Sequence, residues 1–129
     1  MSAAPFFFKK NIVSDDFLFE SAPFNALTAP QKTMLREVAQ TISYPFGSAL
    51  LLPDAAVEHV WVIASGHAQL DEDGHVHILG AREVFGWRAL LTGRNHATLT
   101  ALDEVQAWQL PKATLMSLLG DNAHFSALV

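Results

Sequence analysis

Arginine, histidine and glycine are concentrated between Val84 and Thr98, in the stretch VFGWRALLTGRNHAT. The side chains of Arg88, Arg94 and His96 can carry positive charge, and the short apolar run among them has a glycine at each end. Glycine allows close approach of the backbone to a ligand, and the first N–H groups of a helix attract anions. The stretch therefore predicts an anion-binding loop. A turn that only packs against the core is the competing interpretation.

Two further groups of ionisable residues lie upstream of this stretch. His75 and His77 share one face of a predicted strand, but no third ligand accompanies them, so surface histidines are favoured over a metal site. Asp71, Glu72 and Asp73 are predicted to form the solvated tip of a hairpin. The absence of cysteine excludes disulfides, thiolate catalysis and cysteine-ligated metals. We expect no cofactor, no catalytic residues and no enzyme activity.

Length and charge limit the class of protein. The chain has 129 residues, 50% of them hydrophobic, which predicts one compact domain with a sizeable core. Asp and Glu outnumber Lys and Arg by 13 to 8, and the net charge of −5 argues against nucleic acid as a partner. The apolar patch at Phe6 to Phe8 is too short for a signal sequence or a membrane span. We therefore expect a cytoplasmic protein with no membrane partner.

Helix and strand signals are arranged as in a small β-barrel with a helix at each end. The stretch LTAPQKTMLREVAQTI has Thr28 as a predicted N-cap, Pro30 near the first helical position and an apolar face that continues to Ile42. Short strands with glycine or proline at the corners follow, and DEDG predicts a hairpin turn. Pro111 starts a closing helix, for which Gly120 is the predicted C-terminal cap.

One segment interrupts the predicted strands, because GWRALLTG has helical rather than alternating character. The predicted fold class is mainly β with flanking helices: a jelly-roll-like β-roll into which a short helix is inserted. We divide this single domain, 1–129, into an N-terminal extension (1–20), an N-terminal helical region (24–43), a β-roll (44–110) and a C-terminal helical region (111–129).

From about Phe17 to Val129 the chain resembles a cyclic-nucleotide-binding domain of the bacterial catabolite-activator and protein-kinase regulatory-subunit type. YPFGSALLLP resembles the family's glycine-containing strand and turn, VWVIASGHAQLDEDG its hairpin, and FGWRALLTG its phosphate-binding cassette. The resemblance implies a β-roll with the short helix in the cassette, and a regulatory sensor that binds a cyclic nucleotide or another phosphorylated ligand. The implied ligand-binding residues are Phe85, Gly86, Trp87, Arg88, Ala89, Leu90, Arg94, Asn95, His96, Ala97 and Thr98. We refer to residues 85–98 as the cassette.

A narrower resemblance concerns the N-terminal sensor domain of bacterial signal-transduction proteins in which a pair of CBS domains and a nucleotidyltransferase domain follow. It rests on FLFESAPFNALTAPQKTML, GWRALLTGRNHATLTALDE and WQLPKATLMSLLGDNAHF. It implies that a CBS or nucleotidyltransferase output domain, or a separate partner protein, receives the signal.

Departures from the family pattern affect the expected ligand. Trp87 replaces the family's glutamate, which accepts a hydrogen bond from the ribose 2′-hydroxyl, and an indole has no acceptor. We expect Trp87 to pack or to plug the pocket rather than to stack on a base. Arg94 and His96 are alternative counterparts of the family's phosphate-binding arginine. Arg88 either contacts the ligand, or is simply solvated or paired with Glu83 or another acid. The competing function is a degenerate β-roll that binds other proteins without binding nucleotides.

The N-terminal extension is unusually apolar. Its large apolar residues are Phe6, Phe7, Phe8, Phe17, Leu18 and Phe19. Exposed patches of this kind mark interaction sites, so we expect either a homodimer or docking of this segment on the barrel.

Overall fold

Two antiparallel β-sheets form the centre of the protein in a computed structural model, which describes residues 6–8, 18–20 and 22–129. The strands are β1 (Phe6–Phe8), β2 (Gln40–Tyr44), β3 (Ala49–Leu51), β4 (His59–Ser65), β5 (Ala68–Glu72), β6 (His75–Leu79), β7 (Val84–Phe85), β8 (Ala97–Ala101) and β9 (Val105–Pro111). One sheet has the order β1-β2-β9-β4-β7 and the other β3-β8-β5-β6. Buried residues of both sheets share one hydrophobic core.

Helices lie before, within and after this series of strands. They are a 3-10 helix (Phe24–Ala26), α1 (Ala29–Val38), α2 (Trp87–Thr92), α3 (Lys112–Asp121) and α4 (Ala123–Ala127). Since α2 lies between β7 and β8, the predicted fold class is confirmed: mainly β, with flanking helices and one short inserted helix. In the part of the chain that the structure describes, no helix has the length and apolarity of a membrane span.

The N-terminal helix α1 begins as predicted but ends earlier. The backbone N–H of Gln31 donates to the Thr28 hydroxyl oxygen (3.4 Å), and the N–H of Thr28 donates to the Gln31 side-chain oxygen (3.0 Å); Pro30 lies in the first turn. The prediction that the helix continues to Ile42 is wrong, because Gln40–Tyr44 is a strand paired with β1 and β9. Ile42 is buried in the strand. Its apolar character fits a buried strand as well as the apolar face of a helix, so it did not distinguish a helix from a strand.

The C-terminal helix α3 follows Pro111 as predicted, but Gly120 does not end it. The helix continues through Asp121, and Asn122 then separates it from α4. The Asn122 side-chain oxygen accepts a hydrogen bond from the backbone N–H of Phe125 (3.0 Å). The asparagine cap therefore determines the break between the helices, and the glycine is accommodated inside α3 at a typical cost of about 1 kcal/mol.

The hairpin formed by β5 and β6 has the turn predicted at DEDG. Asp73 and Gly74 have φ values of 54° and 85°, as a two-residue type I′ turn requires. The register places Glu72 opposite His75 and Leu70 opposite His77. Both histidines therefore lie on the same face of the hairpin.

The described part of the N-terminal extension docks on the barrel. Strand β1 pairs with β2 at the edge of the five-stranded sheet. Leu18 and Phe19 are buried, and Lys32 and Arg36 of α1 lie over the Phe19 ring at 5.8 and 5.1 Å from its centroid. Phe17 lies outside the described residues. Docking was one of the two predicted alternatives, and the homodimer stays a prediction.

Candidate functional site

A cavity of about 730 Å³ lies between the cassette and the β5–β6 hairpin. Eight of the eleven predicted residues line it: Phe85, Gly86, Trp87, Arg88, Ala89, Arg94, Asn95 and His96. The other three do not, because Leu90 and Ala97 are buried and Thr98 is half-buried on β8 outside the cavity wall. The structure thus brings both ends of the cassette, on either side of α2, to one cavity.

Gly86 determines how the backbone enters α2. Its φ is +119°, and a Cβ at this position would lie 3.0 Å from the carbonyl oxygen of His59 and 3.3 Å from the Cα of Val60. A side chain disfavours this φ, and strand β4 leaves no room for one. Glycine is therefore required here by packing against β4, with or without a ligand.

Three cationic or ionisable side chains of the cassette are exposed at the cavity: Arg88, Arg94 and His96. Within residues 18–20 and 22–129, no side chain forms a hydrogen bond or an ion pair with any of them. Glu83, one predicted partner of Arg88, instead accepts a hydrogen bond from the backbone N–H of Gly80 (2.8 Å). These three groups are therefore available to an anion.

Asn95 is buried, and its side chain is used by the protein itself. Its Nδ2 donates to the carbonyl oxygens of Leu52 (2.7 Å) and Ala97 (2.8 Å), and its Oδ1 accepts from the backbone N–H of Ala97 (3.1 Å). Both donor hydrogens of the amide are thus occupied. Asn95 holds the loop before β8 against the connection after β3, which positions the exposed residues on either side of it.

Trp87, the first residue of α2, packs between the 3-10 helix and α4. Its ring is stacked on Phe24, with centroids 6.2 Å apart and planes at 25°, and meets Phe125 edge-on at 6.0 Å and 69°. Its Nε1 is buried and has no hydrogen-bond partner in the part of the chain that the structure describes. The ring also borders the cavity. This geometry agrees with the predicted packing role.

The second wall of the cavity comes from the hairpin and was not predicted as part of the site. Glu72, Asp73, His75 and His77 line it. Glu72 is half-buried, so only part of the predicted solvated tip is fully exposed. The two-residue spacing of the histidines indicated a shared face, but nothing in the sequence indicated that this face meets the cassette. Among the described residues, no three His, Asp or Glu side chains are grouped closely enough to hold a metal ion.

His59 lies behind Gly86 on β4. Burial lowers the pKa of its imidazole, and the neighbouring Glu58 opposes this effect only in part. Its ring lies 6.4 Å from that of Trp61. His59 is therefore neutral near pH 7 and adds no positive charge beside the cassette.

A comparison with protein families gives a match that spans most of the barrel. The model of the family described as cyclic nucleotide-binding domain matches residues 41–122, which include the cassette. A cAMP-dependent protein kinase regulatory subunit from Debaryomyces hansenii is 28% identical over 116 residues, 88% of this chain. The chain spans 26% of the length of that relative.

Solved structures share the same fold. The sensor domain of the transcriptional regulator DNR from Pseudomonas aeruginosa has a TM-score of 0.81 and 15% identity, covering 89% of this chain and 86% of that one. The regulatory domain of Toxoplasma gondii PKA with cAMP has a TM-score of 0.72 and 22% identity, covering 80% and 42%. These structures confirm the β-roll, and the family match extends over more than half of the sequence. The chain belongs to the cyclic nucleotide-binding domain family.

Proposed function

We propose that this chain is a regulatory sensor that binds a cyclic nucleotide or another phosphorylated small molecule between the cassette and the β5–β6 hairpin. One observation carries the proposal. Arg88, Arg94 and His96 meet at a cavity of about 730 Å³, and no described side chain forms a hydrogen bond or an ion pair with their side chains. Cavities of roughly 300–1,000 Å³ are typical of small-molecule sites.

The proposed roles follow from the chemistry of each side chain. Guanidinium groups bind phosphate oxygens through two parallel hydrogen bonds, so Arg88 and Arg94 hold the phosphate, with His96 as a third donor. Phe85 and Trp87 form the apolar part of the wall. A cyclic nucleotide is the first ligand to test, because one relative is cAMP-dependent and another was crystallised with cAMP.

The proposed signal passes from the cassette to the ends of the domain. Trp87 at the start of α2 contacts Phe24 in the 3-10 helix and Phe125 in α4. A ligand that shifts α2 therefore changes its contacts with both the 3-10 helix and α4. The receiver is a CBS or nucleotidyltransferase output domain, as the narrower sequence resemblance implies, or a separate partner protein.

Thermal shift and calorimetry with cyclic AMP, cyclic GMP, AMP, ADP and ATP test the proposal. A ligand present at 100 times its Kd stabilises the native state by about 2.7 kcal/mol. Arg94→Ala should weaken the binding of a phosphate-bearing ligand about 10- to 100-fold, because a charged hydrogen bond contributes about 1.5–3 kcal/mol. Arg88→Ala and His96→Ala should also weaken binding. Arg36→Ala, which removes an arginine outside the cavity, is the matched control and should leave affinity unchanged.

The second candidate is a degenerate β-roll that serves only protein interactions. Trp87 favours it, since the indole stands where the family has its ribose-binding glutamate and packs on Phe24 and Phe125. If no nucleotide of the panel raises the melting temperature, and Arg94→Ala changes no binding signal, the sensor proposal is wrong and this second function is favoured.

A further inference from the structure

Three of the six histidines in the chain line the one cavity described above. His75 and His77 come from β6, and His96 comes from the loop before β8. His96 is distant in sequence from the two histidines of β6 and belongs to the opposite wall of the cavity. The hairpin wall also contributes Glu72 and Asp73.

The formal charge of the cavity depends on whether its three histidines are protonated. Its wall has two arginines and two carboxylates. These four charges cancel formally. Histidine is the side chain that ordinarily changes charge near physiological pH. The formal charge of the wall is zero when the three histidines are neutral and +3 when all are protonated.

The carboxylates make this titration important for an anion. With neutral histidines, Glu72 and Asp73 repel a negatively charged ligand from the hairpin wall, and only Arg88 and Arg94 attract it from the other wall. Protonated His75 and His77 share the hairpin with the two carboxylates and offset them. A phosphate-bearing ligand is then attracted from both walls.

We propose that this cavity is a proton-linked anion site, in which the ligand binds together with protons taken up by His75, His77 and His96. The inference rests on the proposed function and adds its regulation: the domain responds to ligand concentration and pH together. Because linkage is reciprocal, a ligand that prefers the protonated cavity takes up protons when it binds. Affinity increases as pH falls from 8 to 5.8.

The test is an NMR titration of the 129-residue chain with cyclic AMP and, separately, with sulfate at pH 8.0 and 5.8. Neither probe changes its charge in this interval, whereas a linear phosphate monoester gains a proton near pH ~6. We expect Kd to be about tenfold smaller at pH 5.8 than at pH 8.0. A change of this size follows when ligand binding raises the pKa of one group by about one unit. Imidazole signals report the protonation of the histidine rings directly, and NMR measures weak as well as tight binding.

Variants assign the protons to particular rings. The triple variant His75→Gln, His77→Gln, His96→Gln should lose the pH dependence and keep residual binding through the arginines. His124→Gln, at an exposed histidine of α4 outside the cavity, is the control and should keep the pH dependence of binding. Backbone spectra verify that every variant is folded.

The outcomes separate this inference from the proposed function. Equal affinity at both pH values, or a pH dependence that persists in the triple variant, overturns the proton linkage while the sensor function stands. If neither probe perturbs cavity residues at either pH, both proposals are overturned. Tighter binding at pH 5.8 that disappears in the triple variant supports both.

Discussion

Among single residues, Trp87 has the largest effect on the expected ligand, because one side of its ring borders the cavity and the rest contacts Phe24 and Phe125. Trp87→Glu supplies the acceptor that the family uses for the ribose hydroxyl. It should raise cyclic AMP affinity roughly 10- to 100-fold. It should also lower the free energy of unfolding by about 3 kcal/mol or more, because a carboxylate replaces the ring contacts.

Calorimetry and urea unfolding measure these two effects. Trp87→Gln is the matched variant: it offers a neutral acceptor and should improve binding with a smaller loss of stability. Unchanged cyclic AMP affinity in both folded variants would contradict the placement of the ribose beside residue 87.

Two tryptophans differ in whether the indole N–H has a partner. Trp61 Nε1 donates to the Tyr44 hydroxyl at 3.2 Å, whereas Trp87 Nε1 is buried without a partner in the described part of the chain. Trp61→Phe leaves the Tyr44 hydroxyl unpaired and should cost about 1–3 kcal/mol beyond the lost packing. Trp87→Phe removes an unsatisfied donor and should cost less. Urea titrations compare the two variants, and a larger loss for Trp87→Phe would contradict this order.

His67 and Asp103 form a hydrogen bond on the surface, with Nδ1 and Oδ2 2.8 Å apart. Hydrogen bonds from the His67 side chain and from its backbone N–H (2.7 Å) lower the pKa of the Asp103 carboxyl. A carboxyl whose pKa is lower in the folded state contributes stability above its unfolded pKa of about 3.9, and this contribution is lost as pH falls through the folded value. The difference in Tm between the wild type and Asp103→Asn should therefore shrink as pH falls below about pH 4.

Melting curves from pH 2 to 7 measure this difference. Asp121→Asn, at an exposed position at the end of α3, is the control for which no such change is expected. A difference for Asp103→Asn that is unchanged at pH 2 would exclude the ionised carboxylate of Asp103 as its source.

At the scale of elements, the loop before β8 depends on one amide. Asn95 donates to the Leu52 and Ala97 carbonyls and accepts from the Ala97 N–H. Asn95→Ala leaves these buried groups unpaired and should lower the free energy of unfolding by about 1–3 kcal/mol. It should also weaken anion binding, because the cationic residues on either side lose their support. The control is Asn25→Ala at an exposed position, and equal unfolding free energies for the two variants would contradict this role.

Most elements could be predicted from the sequence, whereas two helix ends could not. Thr28, Pro30 and the DEDG turn are local signals, and the structure contains all three. Ile42 fits an apolar helix face and a buried strand equally well, and pairing with β1 and β9 decides between them. Gly120 predicted the end of α3, but that helix continues through Asp121, and the side-chain cap of Asn122 then starts α4.

At the scale of the whole molecule, the cassette could be predicted because its residues are contiguous in sequence. The hairpin wall could not, since His75 and His77 reach the cavity only through the packing of the two sheets. The role of Asn95 was also inaccessible, because its partner Leu52 is 43 residues away. Asn95 thus has a structural role in addition to its place in the predicted list, and that list did not include the residues of the hairpin wall.

The aromatic cluster of Phe24, Trp87 and Phe125 joins the 3-10 helix, α2 and α4, with ring centroids 6.0–6.2 Å apart. Phe125 is fully buried, so Phe125→Leu should lower the free energy of unfolding by about 1–2 kcal/mol. Because the rings contact one another, we expect faster hydrogen exchange in all three elements. In the β5–β6 hairpin, hydrogen exchange should become faster only to the extent that the global loss of stability requires.

Hydrogen exchange followed by mass spectrometry measures this pattern, with and without saturating ligand. Phe46→Leu, at a position that is 75% exposed, is the matched control and should leave exchange unchanged. Faster exchange limited to α4 would show that the cluster does not couple the cassette to the C-terminal helix, and the proposed route of the signal would then be wrong. Exchange that accelerates in α2 as well would mean that a ligand ordering α2 also orders α4, since energetic coupling between two sites is reciprocal.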